Sequence, residues 1–403
     1  MANLLNQVKT YKLSYPRSQK DTYQPLSSVD WLIRLDPGFE IVKNSIFVSG
    51  NLYITVDGLP YDANPDALPA TNEVYYDNFS GWHALFDVWS SDLNQQNVEN
   101  FDNYPRFMRM MTMTTKNSSS LSSNLSETVE GRVGHHSLTP YILSGEEITG
   151  EGGDAVNVNG MPINIKPYIA VNRTNRNINY SDVPIGILLH TRLSPVENLL
   201  FGPDALPATS GISYYLKNLQ LNWQVQPVQQ TTQPLTMGKI SWKDYTLSSK
   251  TSSIEVEVPI PTQNICMTLA LEDNLITGAN PENETNGLYN LPHPTATNFL
   301  DCSNVQFFLN DTNNNLLSFE LEDLEEQIMN YKYSMGVSEV SYFDDITIKN
   351  AGNWSSFGLG LNMSGLLPVG TKISMVLNSQ DANGPDTNKI WRANCYFKGM
   401  ITL

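Results

Sequence analysis

The sequence predicts an all-β protein of two jelly-roll or β-sandwich domains in series, with one or two short helices and long loops. Three observations predict it: separated runs in which apolar and polar residues alternate, a charged fraction of only 16%, and a Gln/Thr/Pro bridge near the middle of 403 residues. A strand shows one face to a core and one to water, so its signature is a period of two. Lys, Glu and Arg usually coat surface helices. A chain that replaces them with Asn, Ser, Thr and Gln suits strands and loops. Its length exceeds what one small core needs, and 40% hydrophobic residues can fill two.

Taken in order, residues 1–20 carry Lys9, Lys12, Arg17 and Lys20 and no acidic side chain. Residues 1–40 therefore read as an N-terminal arm, either a solvated tail or a segment resting on anionic neighbours. A first domain follows over 41–228. In it Ile46, Val48, Gly50, Leu52, Ile54 and Val56 share one face, with Ser49, Asn51, Tyr53 and Thr55 on the other. The piece from Trp82 to Trp89 fits a strand or a helical turn. Leu219, Leu221, Trp223 and Val225 alternate with Gln220, Asn222, Gln224 and Gln226. The bridge at 227–234 then opens a second domain, 229–403. There Ile254, Val256 and Val258 alternate with Glu255 and Glu257. Leu324, Ile328, Tyr331 and Met335 have helical spacing behind an acidic start of Glu320, Glu322 and Asp323. Trp391, Ala393, Cys395, Phe397 and Ile401 oppose Arg392, Asn394, Lys398 and Thr402, a strand running to the last residue and so a paired element.

Polar stretches at 117–126, 149–160 and 274–300 read as long loops, which in compact domains are functional or exposed. The heptapeptide PDALPAT occurs at 65–71 and 203–209, each copy shortly before a tyrosine pair, Tyr75-Tyr76 and Tyr214-Tyr215. It reads as two equivalent Pro-punctuated turns feeding strands.

No chemistry-bearing constellation emerges. The net charge of −17 argues against sequence-specific nucleic-acid binding by the body of the chain. Cys266, Cys302 and Cys395 are odd in number and lack CxxC spacing, so neither a disulfide framework nor a zinc site follows. His135 and His136 are adjacent and point apart on a strand, and His83, between Trp82 and Leu85, reads as a buried, hydrogen-bonded residue. The run Glu320, Glu322, Asp323, Glu325 and Glu326 reads as a solvated helix start rather than a glycosidase pair, and Asp344-Asp345 has no calcium-loop pattern around it. The expectation is no enzyme, no catalytic residue, no cofactor and no metal. No apolar run has signal-peptide or membrane-spanning length, which predicts a soluble chain that stays inside the cell making it.

Several segments together resemble a family. Residues 44–56, Val74-Tyr-Tyr-Asp77 leading to Ser80-Gly-Trp-His-Ala-Leu-Phe86, and Asn103-Tyr-Pro-Arg106 resemble the first jelly roll of capsid proteins in the adenovirus–tectivirus, double-jelly-roll lineage of DNA viruses. Residues 163–171, 185–193, 199–202 and 215–226 resemble its closing strands. In the second half Val305-Gln-Phe-Phe-Leu-Asn-Asp311, the helix at 322–335, residues 372–377 and residues 389–403 follow in the same order. The likeness is strongest to minor, or penton, capsid proteins of virophages and polinton-like viruses, and the major capsid protein forming pseudo-hexameric trimers is the alternative. It implies a structural virion protein, made in the host cytoplasm or nucleus. Its partners would be itself, as a homo-pentamer or trimer, other capsid proteins, and a host receptor reached through the loops. Interface residues would be Lys9, Lys12, Arg17 and Lys20 on the arm, and the aromatic anchors Tyr75, Tyr76 and Trp354. Rivals from other classes are a carbohydrate-binding sandwich and a glycoside hydrolase using the acidic cluster. One jelly roll with a large insertion stays open beside two in series.

Overall fold

The computed structural model describes residues 10–56, 59–60, 75–76, 80–115, 148–149, 155–156, 161–201, 212–229, 233–247, 251–271, 279–280, 285–286, 302–310, 316–321, 324–335, 359–379 and 391–403. Two units emerge. The first comprises Met1–Met108, Ser119–Gly238 and Thr402–Leu403, and the second Arg109–Ser118 and Lys239–Ile401.

Eight principal strands make the first unit: β1 (Thr10–Ser14), β2 (Ser28–Ile33), β3 (Phe47–Val56), β4 (Phe86–Leu93), β5 (Gln96–Phe101), β6 (Met161–Ile165), β7 (Ile187–Leu193) and β8 (Ile212–Pro227). They pair antiparallel in two sheets, β1-β8-β3-β6 and β2-β7-β4-β5. Short strands Phe39–Ile41, Ile178–Asn179 and Leu59–Pro60 extend the first sheet. Eight strands that alternate between two four-stranded sheets in this order are a jelly roll. The alternation read from sequence is what fills it: Val48, Leu52 and Ile54 on β3 and Leu219, Leu221, Trp223 and Val225 on β8 are buried, as are Val29, Trp31 and Ile33 on β2 and Trp89 on β4. Trp31 and Trp89 stack at 6.2 Å between ring centroids. The β4–β5 hairpin turns through Asn94 (φ 51°) and Gln95 (φ 67°), the left-handed pair that matches strand twist. Asn94 secures that turn by donating to the Asp182 carbonyl (2.7 Å) and accepting from the Ile185 N–H (3.1 Å).

Residues 10–40 are not an arm. β1 joins one sheet, β2 occupies the other with Trp31 wholly buried, and Tyr23 bridges to Leu216 on β8. The segment from Trp82 to Trp89 is both alternatives in turn, a 3-10 helix at Gly81–Leu85 followed at once by β4.

The second unit repeats the plan. Its strands are β9 (Thr236–Leu247), β10 (Thr251–Glu257), β11 (Thr262–Leu271), β12 (Cys302–Asn310), β13 (Leu316–Leu321), β14 (Leu359–Leu367), β15 (Lys372–Ser379) and β16 (Trp391–Thr402). Their sheets are β9-β16-β11-β14 and β10-β15-β12-β13, the first unit's order advanced by eight. The second half is therefore a jelly roll in its own right, and the chain is a double jelly roll. The units divide at Gly238–Lys239, inside β9, rather than in the bridge at 227–234. On β16 residues Ala393 to Phe397 are all buried, Asn394 included, so this inner strand is covered on both faces where a period of two suggested one.

One helix follows the fifth strand of each set: α1 (Tyr104–Thr115) after β5 and α2 (Leu324–Met335) after β13. α1 escapes the sequence reading because its only charged residues are Arg106 and Arg109, and Arg106 is wholly buried, so few polar positions mark an outer face. Asn103 (φ 53°) and Pro105 nevertheless mark its start. α2 begins later than its acidic run suggests, since Glu320 belongs to β13. Its end is fixed by Lys398 of β16, whose Nζ donates to the carbonyls of Ser334 (3.1 Å) and Met335 (2.7 Å), where a cation suits the helix dipole. α2 lies so close to β14 that a Cβ on Gly360 would stand 2.5 Å from the Tyr331 Cα and 2.7 Å from the Asn330 carbonyl oxygen.

Candidate assembly surfaces

The buried polar groups hold the scaffold together. Glu99 on β5 is wholly buried, pairs with Arg173 and accepts from the Ala170 N–H at 2.6 Å, while the Arg173 guanidinium lies 4.4 Å from the centre of the Tyr168 ring. Asn172 clasps the chain before β3, accepting from the Ile46 N–H (3.1 Å) and donating to the carbonyls of Ile46 and Pro167 (both 2.9 Å). Glu40 accepts from the side chains of Asn177 (2.5 Å) and Gln226 (2.7 Å), and Arg176 grips Asp182 through both nitrogens. The bonds of Glu99 to Ala170 and Arg173, of Asn172 to Ile46 and of Asn177 to Glu40 tie the 166–182 connection to the strands. A buried carboxylate stripped of such partners would cost several kcal/mol.

Residues of catalytic type are accounted for in the same way. His83 is buried and shares a 2.8 Å hydrogen bond with Tyr104, as its sequence setting predicts. Burial pushes the Cys266 thiol up to about 12 and, with Cys266 and Asp244 nearby, the Cys395 thiol up as well, so both stay protonated at neutral pH. His190 pairs with Asp30 across β7 and β2 at a half-exposed position. Among the described residues no group of three His, Cys, Asp or Glu side chains could hold a metal ion. His135, His136 and His293, the pair Asp344-Asp345 and both PDALPAT copies lie outside the described residues. The tyrosine pairs that follow those copies sit in different settings: Tyr75–Tyr76 pair with Leu200–Phe201, whereas Tyr214 and Tyr215 belong to β8.

Chemistry of another kind sits on the surface, chiefly at β1. Residues directly opposite in an antiparallel pair point to the same side. Thr10, Lys12 and Ser14 face Val225, Trp223 and Leu221, the buried residues of β8, and so share its core side. Tyr11 and Leu13 face Gln224 and Asn222 on the outer side, and the Tyr11 hydroxyl accepts from the Gln224 amide at 2.6 Å. The strand is thus turned with its apolar residues outward: Tyr11 is 65% exposed, Leu13 53% and, just beyond, Tyr15 50%. On the core side Lys12 lines a cleft with Arg34, Asp36 and Phe39. In the second unit Leu366, Val369 and Met400 are exposed.

Of the interface residues expected from sequence, Lys12, Arg17 and Lys20 are exposed, but on a folded strand and the turn after it. Tyr23 fixes that turn, accepting from the Lys20 N–H (3.2 Å) and donating to the Ser18 carbonyl (3.1 Å). Tyr75 and Tyr76 form their two-residue strand, and Lys9 and Trp354 lie outside the described residues. Tyr11, Leu13 and Tyr15 were missed, although the alternation T-Y-K-L-S-Y over 10–15 was there to be read.

No protein-family model matches the sequence, and no curated protein matches it either. Solved structures do match. The fold is similar to the Faustovirus major capsid protein at a TM-score of 0.59, with 10% identity, over 98% of this chain and 90% of that one. A chain from the cryo-EM structure of the Sputnik virophage matches at 0.57 and 9% identity, over 98% and 87%. One from the capsid of the virus PBCV-1 matches at 0.51 and 8%, over 98% and 95%. The class defined by topology and by these matches is the double jelly roll, here in a chain that spans nearly the whole of each neighbour.

Proposed function

We propose that this chain is a structural subunit of an icosahedral viral capsid and acts by self-assembly. The observation that carries the proposal is the pair of jelly rolls, identical in strand order and in helix position, matched end to end by a protein named as a major capsid protein. A trimer of such chains carries six like units, the number a pseudo-hexameric building block needs. That favours the major capsid subunit over the penton subunit that the sequence resemblance put first. A pentamer of such chains would place ten jelly rolls around one vertex.

In this role no substrate is turned over and the working parts are interfaces. Lys9, Lys12, Arg17 and Lys20 would face neighbouring subunits or the shell interior, with Tyr75, Tyr76 and Trp354 as aromatic anchors. The loops at 117–126, 149–160 and 274–300 would face outward, toward a host receptor. Other capsid proteins would be further partners, and the virion the final location. Mass photometry of the purified chain tests the reading. It predicts particles of three times 45.1 kDa. Five-fold particles would restore the penton assignment, and monomers at every concentration would count against a capsid role.

A further inference from the structure

β1 lies at an edge of its sheet, close to β2 of the other sheet. β8 occupies one edge of this strand and no described strand pairs with the other, so the backbone N–H and C=O groups of that edge have no strand partner among the described residues. A short edge strand bearing Lys12, with Pro16 just beyond it, is guarded against indiscriminate pairing, so a matched partner is what it admits. Here the outer face bears Tyr11, Leu13 and Tyr15, three apolar side chains at least half exposed, and the inner face meets the cleft of Lys12, Arg34 and Phe39. We infer that a second copy of this chain docks along β1, pairing an extended segment with its open edge and covering Tyr11, Leu13 and Tyr15. This rests on the self-assembly reading and deepens it by assigning one of the contact surfaces.

Charge selects the partner. Residues 1–20 carry four cations and no acid in a chain whose total is −17, so the rest of any second copy is acidic on average and is drawn to this edge. A nucleic acid would answer the charge but gains little from an outward row of Tyr and Leu, and Asp36 in the cleft repels phosphate. The contact joins unlike surfaces, strand edge on one copy and acidic body on the next, and such heterologous contacts close into rings.

The test uses the full chain and two double variants, Tyr11→Ser with Leu13→Ser, and Lys12→Glu with Arg34→Glu, all at exposed positions. Mass photometry over a concentration series is read beside circular dichroism and melting curves. The expected result is that both variants keep the wild-type fold and melting, while association weakens by about tenfold or more, as loss of an interface anchor does. A variant that misfolds leaves the other to decide. Folded variants that assemble like the wild type overturn the inference and leave the capsid reading standing. Wild-type protein that stays monomeric throughout overturns both. Retention of short duplex DNA by the wild type but not by the Lys12→Glu, Arg34→Glu variant, with assembly unchanged, assigns the edge to nucleic acid and also overturns it.

Discussion

β1 and β9 hold the same position in their jelly rolls, first in order and paired with the eighth strand, yet they are built for different work. β9 runs over Thr236–Leu247 and buries Met237 and Ile240, so two of its side chains belong to the interior. β1 is five residues long and buries none of its own side chains, with its apolar residues turned outward. Backbone pairing alone sets a strand's place in a sheet, so topology can be duplicated without duplicating its energetics. The strand that adds nothing to the core is the one whose surface is left for another molecule.

Four substitutions or conditions sharpen that contrast. The largest effect is expected for Ile240→Ala, which removes wholly buried methylenes and should cost about 2–5 kcal/mol in chemical denaturation. A loss below about 1 kcal/mol would mean that β9 is no more part of the interior than β1. Gly360→Ala comes next, because the added methyl meets the α2 backbone, and about 1–3 kcal/mol should be lost, with the melting temperature falling accordingly.

The third is a pH effect peculiar to the second unit, which holds all three cysteines. Burial raises the Cys266 thiol from 9.0 to about 12, so in this range the folded state holds a proton that the unfolded state releases. The stabilisation is complete below pH 9 and is lost as pH rises toward 12. Hydrogen exchange should show the second unit opening first in alkali, and a thiol reagent should label Cys266 and Cys395 only on unfolding. The smallest effect is expected for Leu13→Ala, whose side chain is exposed: within about 0.5 kcal/mol of the parent in denaturant titrations of the dissociated chain.

What was legible in the sequence follows the same line. β3, β8 and β10 were readable because each has one covered and one wetted face, and an alternating pattern records that difference. β16 was readable only in part, because its middle is covered on both faces. α1 was silent because it has only two charged residues, Arg106 and Arg109, and the first of them is buried. β1 was misread because four cations with no acid suggested a solvated arm, and a count of charges carries no information about pairing with a strand some 200 residues away. The candidate surface was harder still. Lys12, Arg17 and Lys20 could be named from charge, but the outward turn of Tyr11 and Leu13 depends on the register with β8, and a shift of one residue would have reversed it.

If two like jelly rolls in one chain serve a self-assembling shell, the mass of the assembled particle reports it. Trimers of the 45.1 kDa chain are expected in mass photometry, growing in population with concentration. A protein that remains monomeric across the whole concentration series would contradict it.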